Sequence, residues 1–265
     1  MAPMIFPNIR FLLSMKLRQM HRHIQNVLDS SNFATFRSPH KLPHIIKSHS
    51  LPIYRNFSGV DRSLFDNKKI NLSLAISTLN NITIPPKKTF SLWYLVGPPT
   101  AQRGYKDGLT ICMGRPSRDI GGGLCQLANA IHWLALHSDL EVTERHRHSL
   151  DLFPDDGRKI PFGTGATIVY NYKDIRLFNP TPYTFQLHFE LTDNDLLSTL
   201  RASEKVAHTY NVSEKDHRYE KKSDGLYRCN TIVRQRIGLV AEINEKKELF
   251  HNHCKCQYAP KEVSL

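Results

Sequence analysis

The sequence predicts an α+β fold in which an antiparallel β-sheet wraps around one central helix, with an amphipathic helix at the N-terminus. A strongly apolar helical pattern over 124–137 follows directly after three glycines. Short β-branched and aromatic runs lie on both sides of it, separated by turn residues such as those at 179–182. Near the N-terminus, apolar residues recur at steps of three and four. These three observations together indicate the fold class.

The N-terminal pattern predicts one basic amphipathic helix. Its apolar positions are Ile9, Leu13, Leu17, Met20, Ile24 and Val27, and basic residues fill the other faces. Such a helix can lie over the rest of the fold. It can also rest on an anionic membrane surface, and we expect residues 9–28 to make any peripheral membrane contact.

Charge is distributed unevenly along the 265 residues, whose formal net charge is +12. Residues 1–50 hold 7 Lys and Arg against 1 acidic residue, whereas residues 51–200 hold 16 against 14. A nucleic-acid-binding module would carry its basic patch in the folded core, so we expect no nucleic-acid partner. No apolar stretch approaches the roughly 20 residues that span a bilayer.

Composition shifts divide the chain into three predicted segments. Residues 1–52 form the basic arm and a linker, 53–212 the core domain, and 213–265 a C-terminal β extension and tail. We expect a helix over 71–80 and an irregular link over 36–52. The segments expected to be strand-like are 82–84, 89–96, 109–113, 140–143, 166–170, 175–178, 183–191, 226–237 and 239–243, with a charged link over 213–224.

Cysteine content and the N-terminal sequence bear on location. The five cysteines are too few and too unevenly spaced for a disulfide framework, and the start of the chain lacks the pattern of a secretory signal. We therefore expect reduced thiols and a cytoplasmic protein, with contact to a membrane surface as an option.

Cys125 is the candidate nucleophile. Gly121, Gly122 and Gly123 permit a tight turn that gathers unpaired amides at the start of a helix, and such a site attracts negative charge. In the first helical turn, the helix dipole and these amides would favour a thiolate and could stabilise an oxyanion. The alternative is structural, because cysteine is often buried and glycines let a helix pack closely.

Geometry selects among the histidines that could act as a base. His132 shares a helical face with Cys125 but lies roughly 10 Å further along the axis. His146 and His148 follow a strand that leads back from the helix towards its start, so either is a better candidate than His132 for the base. Asn129, one turn after Cys125, could contribute a hydrogen bond.

Two further groups of residues are candidates for ligand binding, and each also has an interpretation without a ligand. His251, His253, Cys254 and Cys256 are soft metal ligands, and Cys229 could supply another. The spacing of the first four does not suit one tetrahedral site, so we expect no metal and no cofactor. Arg115, Arg118 and Arg145 near the glycines could bind a carboxylate or phosphate, or could be solvated surface charges.

Several segments together resemble the conserved blocks of the VanW family. They are FSLWYLVGPP, GYKDGL, GGGLCQLANAIHWLALH, ERHRHS and ATIVYNYKDIRLFN. The resemblance covers about residues 60–200 and implies that Cys125 is the motif cysteine, with Gln126 beside it. It also matches Glu144, Arg145 and His148 to the family's Glu-Arg-x-x-His. Where many members have an acid, this chain has Gly165; Asp174 could substitute for it.

The resemblance implies a link to the cell wall and to glycopeptide (vancomycin) resistance. Some members are regarded as L,D-transpeptidases. Our first hypothesis is a cysteine acyl transferase acting on peptidoglycan stem peptides or precursors, with Cys125 as nucleophile and His148 as base. Gly121, Gly122, Gly123, Gln126, Asn129 and Arg145 would form the substrate or oxyanion site. The alternative is a non-catalytic accessory protein that binds an anionic cell-wall precursor.

Overall fold

A computed structural model describes residues 9–54, 61–112, 115–147, 150–151, 160–239 and 244–258. It confirms a fold of mixed α and β elements, with strands that pair mostly in antiparallel fashion. The described residues contain four α-helices, which are α1 (Ile9–Leu28), α2 (Ser63–Leu79), α3 (Leu92–Val96) and α4 (Cys125–Leu136). Within the described residues, none of these helices is long and apolar enough to cross a membrane.

Thirteen strands are present in the described part of the chain. They are β1 (His44–Pro52), β2 (Ile82–Ile84), β3 (Thr89–Ser91), β4 (Asp107–Cys112), β5 (Arg115–Ile120), β6 (Glu141–Glu144), β7 (Leu150–Asp151), β8 (Arg176–Phe178), β9 (Phe185–Leu191), β10 (Asp195–Ala202), β11 (His208–Lys222), β12 (Gly225–Gly238) and β13 (Asn244–Cys256).

These strands form four sheets. Their orders are β1-β10-β9-β2, β11-β12-β13-β7, β3-β8-β6 and β4-β5. Among the pairs of described strands, only β13 and β7 are parallel, and their contact is short. Because the strands are divided in this way, the wrapping of one sheet around a central helix stays a prediction.

Helix α4 lies in the main hydrophobic core, as its apolar pattern predicts. Leu127, Ala128, Ile131 and Leu134 are each 0% exposed. The far end of the helix contributes Trp133 and Leu136 to a second apolar cluster, which includes Val212 of β11 and Ile232 of β12. The C-terminal sheet therefore packs against α4, and β11 runs across the predicted boundary at 212.

Helix α2 begins eight residues earlier than predicted. Leu64, Phe65 and Lys68 extend its buried face by nearly two turns beyond the predicted start.

The apolar run predicted as strand-like over 89–96 divides instead into β3 and the short helix α3. The side chain of Ser91 caps α3 by accepting a hydrogen bond from the amide of Tyr94.

Two segments predicted as links are strands. The chain over 44–52 is β1, which pairs with β10 at the edge of its sheet, and much of the charged link over 213–224 belongs to β11. Edge strands and strands exposed on both faces need no apolar alternation, so their sequences carry a weak signal. Most of the predicted strand over 239–243 lies outside the described residues.

The segment 166–170, predicted as a strand, runs extended but joins no sheet. Its one ladder contact is a bridge between Val169 and Lys173. Side chains of α4 contact two of its backbone groups, the Ala166 amide and the Ile168 carbonyl.

Candidate active-site cleft

The turn before α4 requires its glycines. Gly121 and Gly123 have φ values of +81° and +94°, a region that favours glycine. A Cβ on Gly122 would lie 2.2 Å from the carbonyl oxygen of Gly108, and one on Gly123 would lie 2.4 Å from Cγ of Lys68. The glycines thus let the turn approach β4 and α2 closely, and this approach fixes the start of α4.

Buried Asn71 of α2 holds the turn in place. Its Nδ2 donates to the carbonyls of Gly122 and Lys106, both at 2.9 Å, and its Oδ1 accepts from the Lys106 amide at 2.8 Å. The side chain is 0% exposed. Sequence reasoning missed this residue, although an asparagine on the apolar stripe of a helix is a signal for a buried polar contact.

The amides of the turn are only partly available. The Gly121 amide donates to the carbonyl of Lys106 and the Gly122 amide to that of Asp119, each at 3.0 Å. Within the described residues, no acceptor is recorded for the amides of Gly123 and Leu124. Any oxyanion stabilisation at this turn therefore depends on positions 123–125, because the first two glycine amides are already bonded.

Three side chains on one face of α4 bind the backbone of the extended segment 164–168. Cys125 Sγ lies 3.9 Å from the carbonyl oxygen of Ile168. Asn129 Oδ1 accepts from the Ala166 amide at 2.6 Å, and His132 Nδ1 lies 2.6 Å from the carbonyl oxygen of Thr164. Helical steps of four and three residues match steps of two along an extended chain, so helix and segment lie antiparallel in register.

Cys125 opens onto a cleft of about 840 Å³. The predicted site residues that line this cleft are Gly121, Gly122, Gly123, Cys125, Gln126 and Asn129. Gln126 also donates from Nε2 to the carbonyls of Leu51 and Pro52, at 3.2 and 3.0 Å. The end of β1 is thereby fixed beside the helix entrance.

The expectation of a thiolate at Cys125 is wrong for the resting protein. Burial raises the pKa of the Cys125 thiol above its ordinary value, and backbone hydrogen bonding with Ile168 and with Cys125 itself opposes that rise only in part. A helix dipole contributes about 0.3–1 kcal/mol at an exposed site. Desolvation of a buried charge costs more, so the protonated thiol prevails at neutral pH.

The histidines differ in what the structure shows of them. Burial lowers the pKa of His132 to about 3, so its ring is neutral, and Nδ1 is held by Thr164. His146 Nε2 lies 3.0 Å from Oε1 of Glu144. His148, the predicted base, lies outside the described residues and stays a prediction.

Glu144 joins β6 to the N-terminal helix. Arg22 of α1 donates to both carboxylate oxygens, at 2.6 and 3.0 Å, and the Asp174 amide donates to Oε1 at 3.0 Å. Burial would raise the pKa of Glu144, but hydrogen bonds from His146 and Arg22 outweigh burial and lower it. Glu144 is therefore an ionised structural anchor.

Arg145 supports a wall of the cleft through backbone contacts. Its guanidinium donates to the carbonyls of Gly163 and Gly165 and stacks over the ring of Phe250, 4.3 Å from the ring centre. These contacts assign Arg145 to positioning the loop 163–165, whereas the sequence predicts a direct substrate contact.

Asp174, the possible substitute for an acid at Gly165, is bonded to other groups. It accepts from Ser91 Oγ at 2.5 Å and from the Trp93 amide at 3.1 Å, and burial raises the pKa of its carboxyl. No histidine is among its recorded partners in the described residues. A Cβ on Gly165 would lie 3.1 Å from Asn129 Oδ1, so this position also faces the polar side of α4.

One group of metal-ligand types does come together, and Glu220 is the member that the sequence did not indicate. Ligand atoms of Glu220, Cys229 and His253, from three adjacent strands, lie within 4.8 Å of one another. Neighbouring residues in a strand point to opposite faces, so His253 and Cys254 cannot share such a site. Arg218 donates two hydrogen bonds to Glu220 and places a competing positive charge there.

Comparison with known proteins gives the family. A model described as VanW like protein matches residues 67–201. The vancomycin B-type resistance protein VanW of Enterococcus faecalis (strain ATCC 700802 / V583) is 30% identical over 262 residues, which cover 97% of this chain and 95% of that protein. The uncharacterized protein YoaR of Bacillus subtilis (strain 168) is 26% identical over 139 residues, which cover 51% of this chain and 43% of YoaR. No solved structure matches. Because the family model spans half of the sequence and the Enterococcus relative spans nearly all of it, this chain belongs to the VanW family.

Proposed function

We propose that this protein is a cysteine-dependent acyl transferase of the L,D-transpeptidase type that acts on peptidoglycan stem peptides or their precursors. The position of Cys125 carries the proposal: the residue lies in the first turn of a buried helix and lines a large cleft, and the amides of Gly123 and Leu124, which precede it in the chain, have no acceptor within the described residues. The name of the Enterococcus relative supports a function in vancomycin resistance, and hence a cell-wall substrate.

The proposed reaction exchanges one amide for another. Cys125 Sγ attacks the carbonyl carbon of a peptide bond in the donor, the C–N bond breaks, and the thiol proton passes through a base to the leaving amine. The amides at positions 123–125 stabilise the transient oxyanion. The amine of an acceptor then attacks the thioester, the C–S bond breaks, and the proton returns to sulfur.

This reaction needs a base, because the resting thiol is protonated. We assign that function to His148, which the Glu-Arg-x-x-His pattern places three residues after Arg145. Glu144 and Arg145 support the assignment as positioning residues. Each is anchored by several hydrogen bonds immediately before the segment that carries His148.

We place the reaction on the cytoplasmic side of the membrane, because five cysteines that are too few and too unevenly spaced for a disulfide framework fit a compartment in which thiols stay reduced. A precursor would be the substrate there, since the mature wall lies outside the cell.

Product formation from a donor stem tetrapeptide and an acceptor amine tests the proposal. The wild type should form the exchanged amide, and Cys125→Ala should lose this turnover completely. Cys254→Ala is the matched control, because Cys254 lines the same cleft and is not assigned to the chemistry. Turnover that persists in Cys125→Ala, or absence of turnover in the wild type, would contradict the proposal.

The raised pKa of Cys125 favours a second candidate function, a non-catalytic accessory protein that binds an anionic cell-wall precursor in this cleft. In that case the wild type and Cys125→Ala should bind a stem peptide with equal affinity in calorimetry. Neither protein should form product. An acyl-enzyme in the wild type would exclude this alternative.

A further inference from the structure

Helix α1 directs its apolar side away from the protein. The large apolar residues with exposures of 52–77% are Leu13, Leu17, Met20, Ile24, Val27 and Leu28. Their spacing of three and four residues puts them on one stripe of the helix. A continuous apolar stripe of this length on a protein surface marks an interaction site.

The opposite face of α1 is fixed to the protein by polar contacts. Gln19 donates to the carbonyl of Tyr170 at 2.9 Å, Arg22 pairs with Glu144, and Asn26 donates to Asn171 Oδ1 at 3.2 Å. Gln19, Arg22 and Asn26 are three and four residues apart, so they lie on one face as well. Because these contacts set the rotation of the helix, the outward direction of the apolar stripe is built into the fold.

Basic and histidine side chains border the stripe on both sides. At 100° per residue, Lys16 and His23 lie along one border, while His21 and Arg18 lie along the other. All four are exposed. The sequence of α1 contains no Asp or Glu. This arrangement suits an anionic surface, because the charges flank the apolar stripe and do not interrupt it.

We propose that α1 docks the protein on an anionic lipid bilayer, with the apolar stripe at the acyl boundary and the basic borders among the headgroups. Met15, Lys16 and Gln19 of the same helix line the cleft that contains Cys125. Docking therefore brings the cleft to the membrane surface. Docking also narrows the substrate to a precursor anchored in the bilayer. This inference about the substrate rests on the proposed function.

Vesicle flotation of the full chain tests the docking. We expect binding to vesicles of phosphatidylcholine with phosphatidylglycerol, weaker binding to phosphatidylcholine alone, and a decrease with added salt. Leu17→Gln with Ile24→Gln should reduce the partition coefficient at least about tenfold, because two side chains lose their apolar burial. Both residues are exposed in the structure, so this variant should fold.

Two other variants make the test specific. Ile237→Gln with Leu239→Gln changes two exposed apolar residues far along the chain, in and just after β12, and should leave vesicle binding unchanged. Lys16→Gln with Arg18→Gln should weaken binding to the anionic vesicles and should have little effect on binding to the neutral ones.

The proposal is overturned if the wild type does not bind anionic vesicles, or if the Leu17 and Ile24 variant binds as the wild type does. It is also overturned if sedimentation shows a dimer that depends on Leu17 and Ile24 while vesicles are not bound, because a second copy then covers the stripe. Cys125→Ala should dock normally. Loss of docking and loss of chemistry are thereby distinguishable.

Discussion

Replacement of Asn71 by alanine should destabilise the protein more than an ordinary loss of a polar side chain. Asn71 is fully buried and makes three hydrogen bonds to the backbone of Lys106 and Gly122. Each hydrogen bond contributes about 1 kcal/mol net, and a buried backbone group left without a partner costs about 1–3 kcal/mol. We therefore expect the free energy of unfolding to fall by about 3–5 kcal/mol, which is a large part of a typical total of about 5–15 kcal/mol.

Asn67 provides the matched control, one turn earlier on the same helix. It is only partly buried and donates one hydrogen bond, to the carbonyl of Asp107 at 2.8 Å. Asn67→Ala should cost at most about 1 kcal/mol. Urea unfolding of both variants measures the difference. Equal losses for the two substitutions would refute the view that Asn71 holds the glycine turn.

Three further predictions concern the site and its supports. Gly122→Ala should lower the free energy of unfolding, measured with urea, by at least about 2 kcal/mol, because the added Cβ would lie 2.2 Å from backbone atoms. Gly165→Ala should lower it by less than about 1 kcal/mol, because the nearest contact of that Cβ is at 3.1 Å. A larger loss for Gly165→Ala than for Gly122→Ala would contradict the packing described. Burial raises the pKa of Cys125, so the rate at which iodoacetamide alkylates this thiol should still increase with pH above 9.0, the ordinary pKa of a thiol. A rate that levels off below about pH 8 would disprove this. The lowered pKa of Glu144 means that its pairing with Arg22 stabilises the protein fully above the ordinary value of 4.5 and is lost as the pH falls through the folded-state pKa. Protease cleavage of α1 should therefore increase in acid in the wild type and be present already at pH 7 in Arg22→Met; identical cleavage of the two proteins at pH 7 would contradict this.

Helical periodicity predicted the central element well. The apolar pattern over 124–137 gives α4 to within one residue at each end, because this helix is buried on several sides and its sequence is dominated by packing. The same reasoning fails for β11. Its residues are exposed on both faces over much of its length, so their charges carry no period of two, and only pairing with β12 makes the segment a strand.

The site was predictable in its residues and less so in its chemistry. The glycines and the start of α4 indicate where Cys125 lies, and the structure places it in a cleft. The direction of its pKa shift could not be predicted, because that depends on how deeply the extended segment 164–168 covers the sulfur. The contacts of Asn129 and Arg145 with this segment and its loop likewise join residues that are 18–37 positions apart.

In the proposed reaction, Cys125 forms a covalent bond with a cell-wall peptide. Mass spectrometry of the intact protein, quenched in acid shortly after mixing with a stem tetrapeptide, measures this directly. We expect an added acyl group that maps to Cys125, is removed by hydroxylamine as a thioester is, and is absent from Cys125→Ala. An unmodified wild-type protein, or an adduct of equal yield in Cys125→Ala, would contradict it.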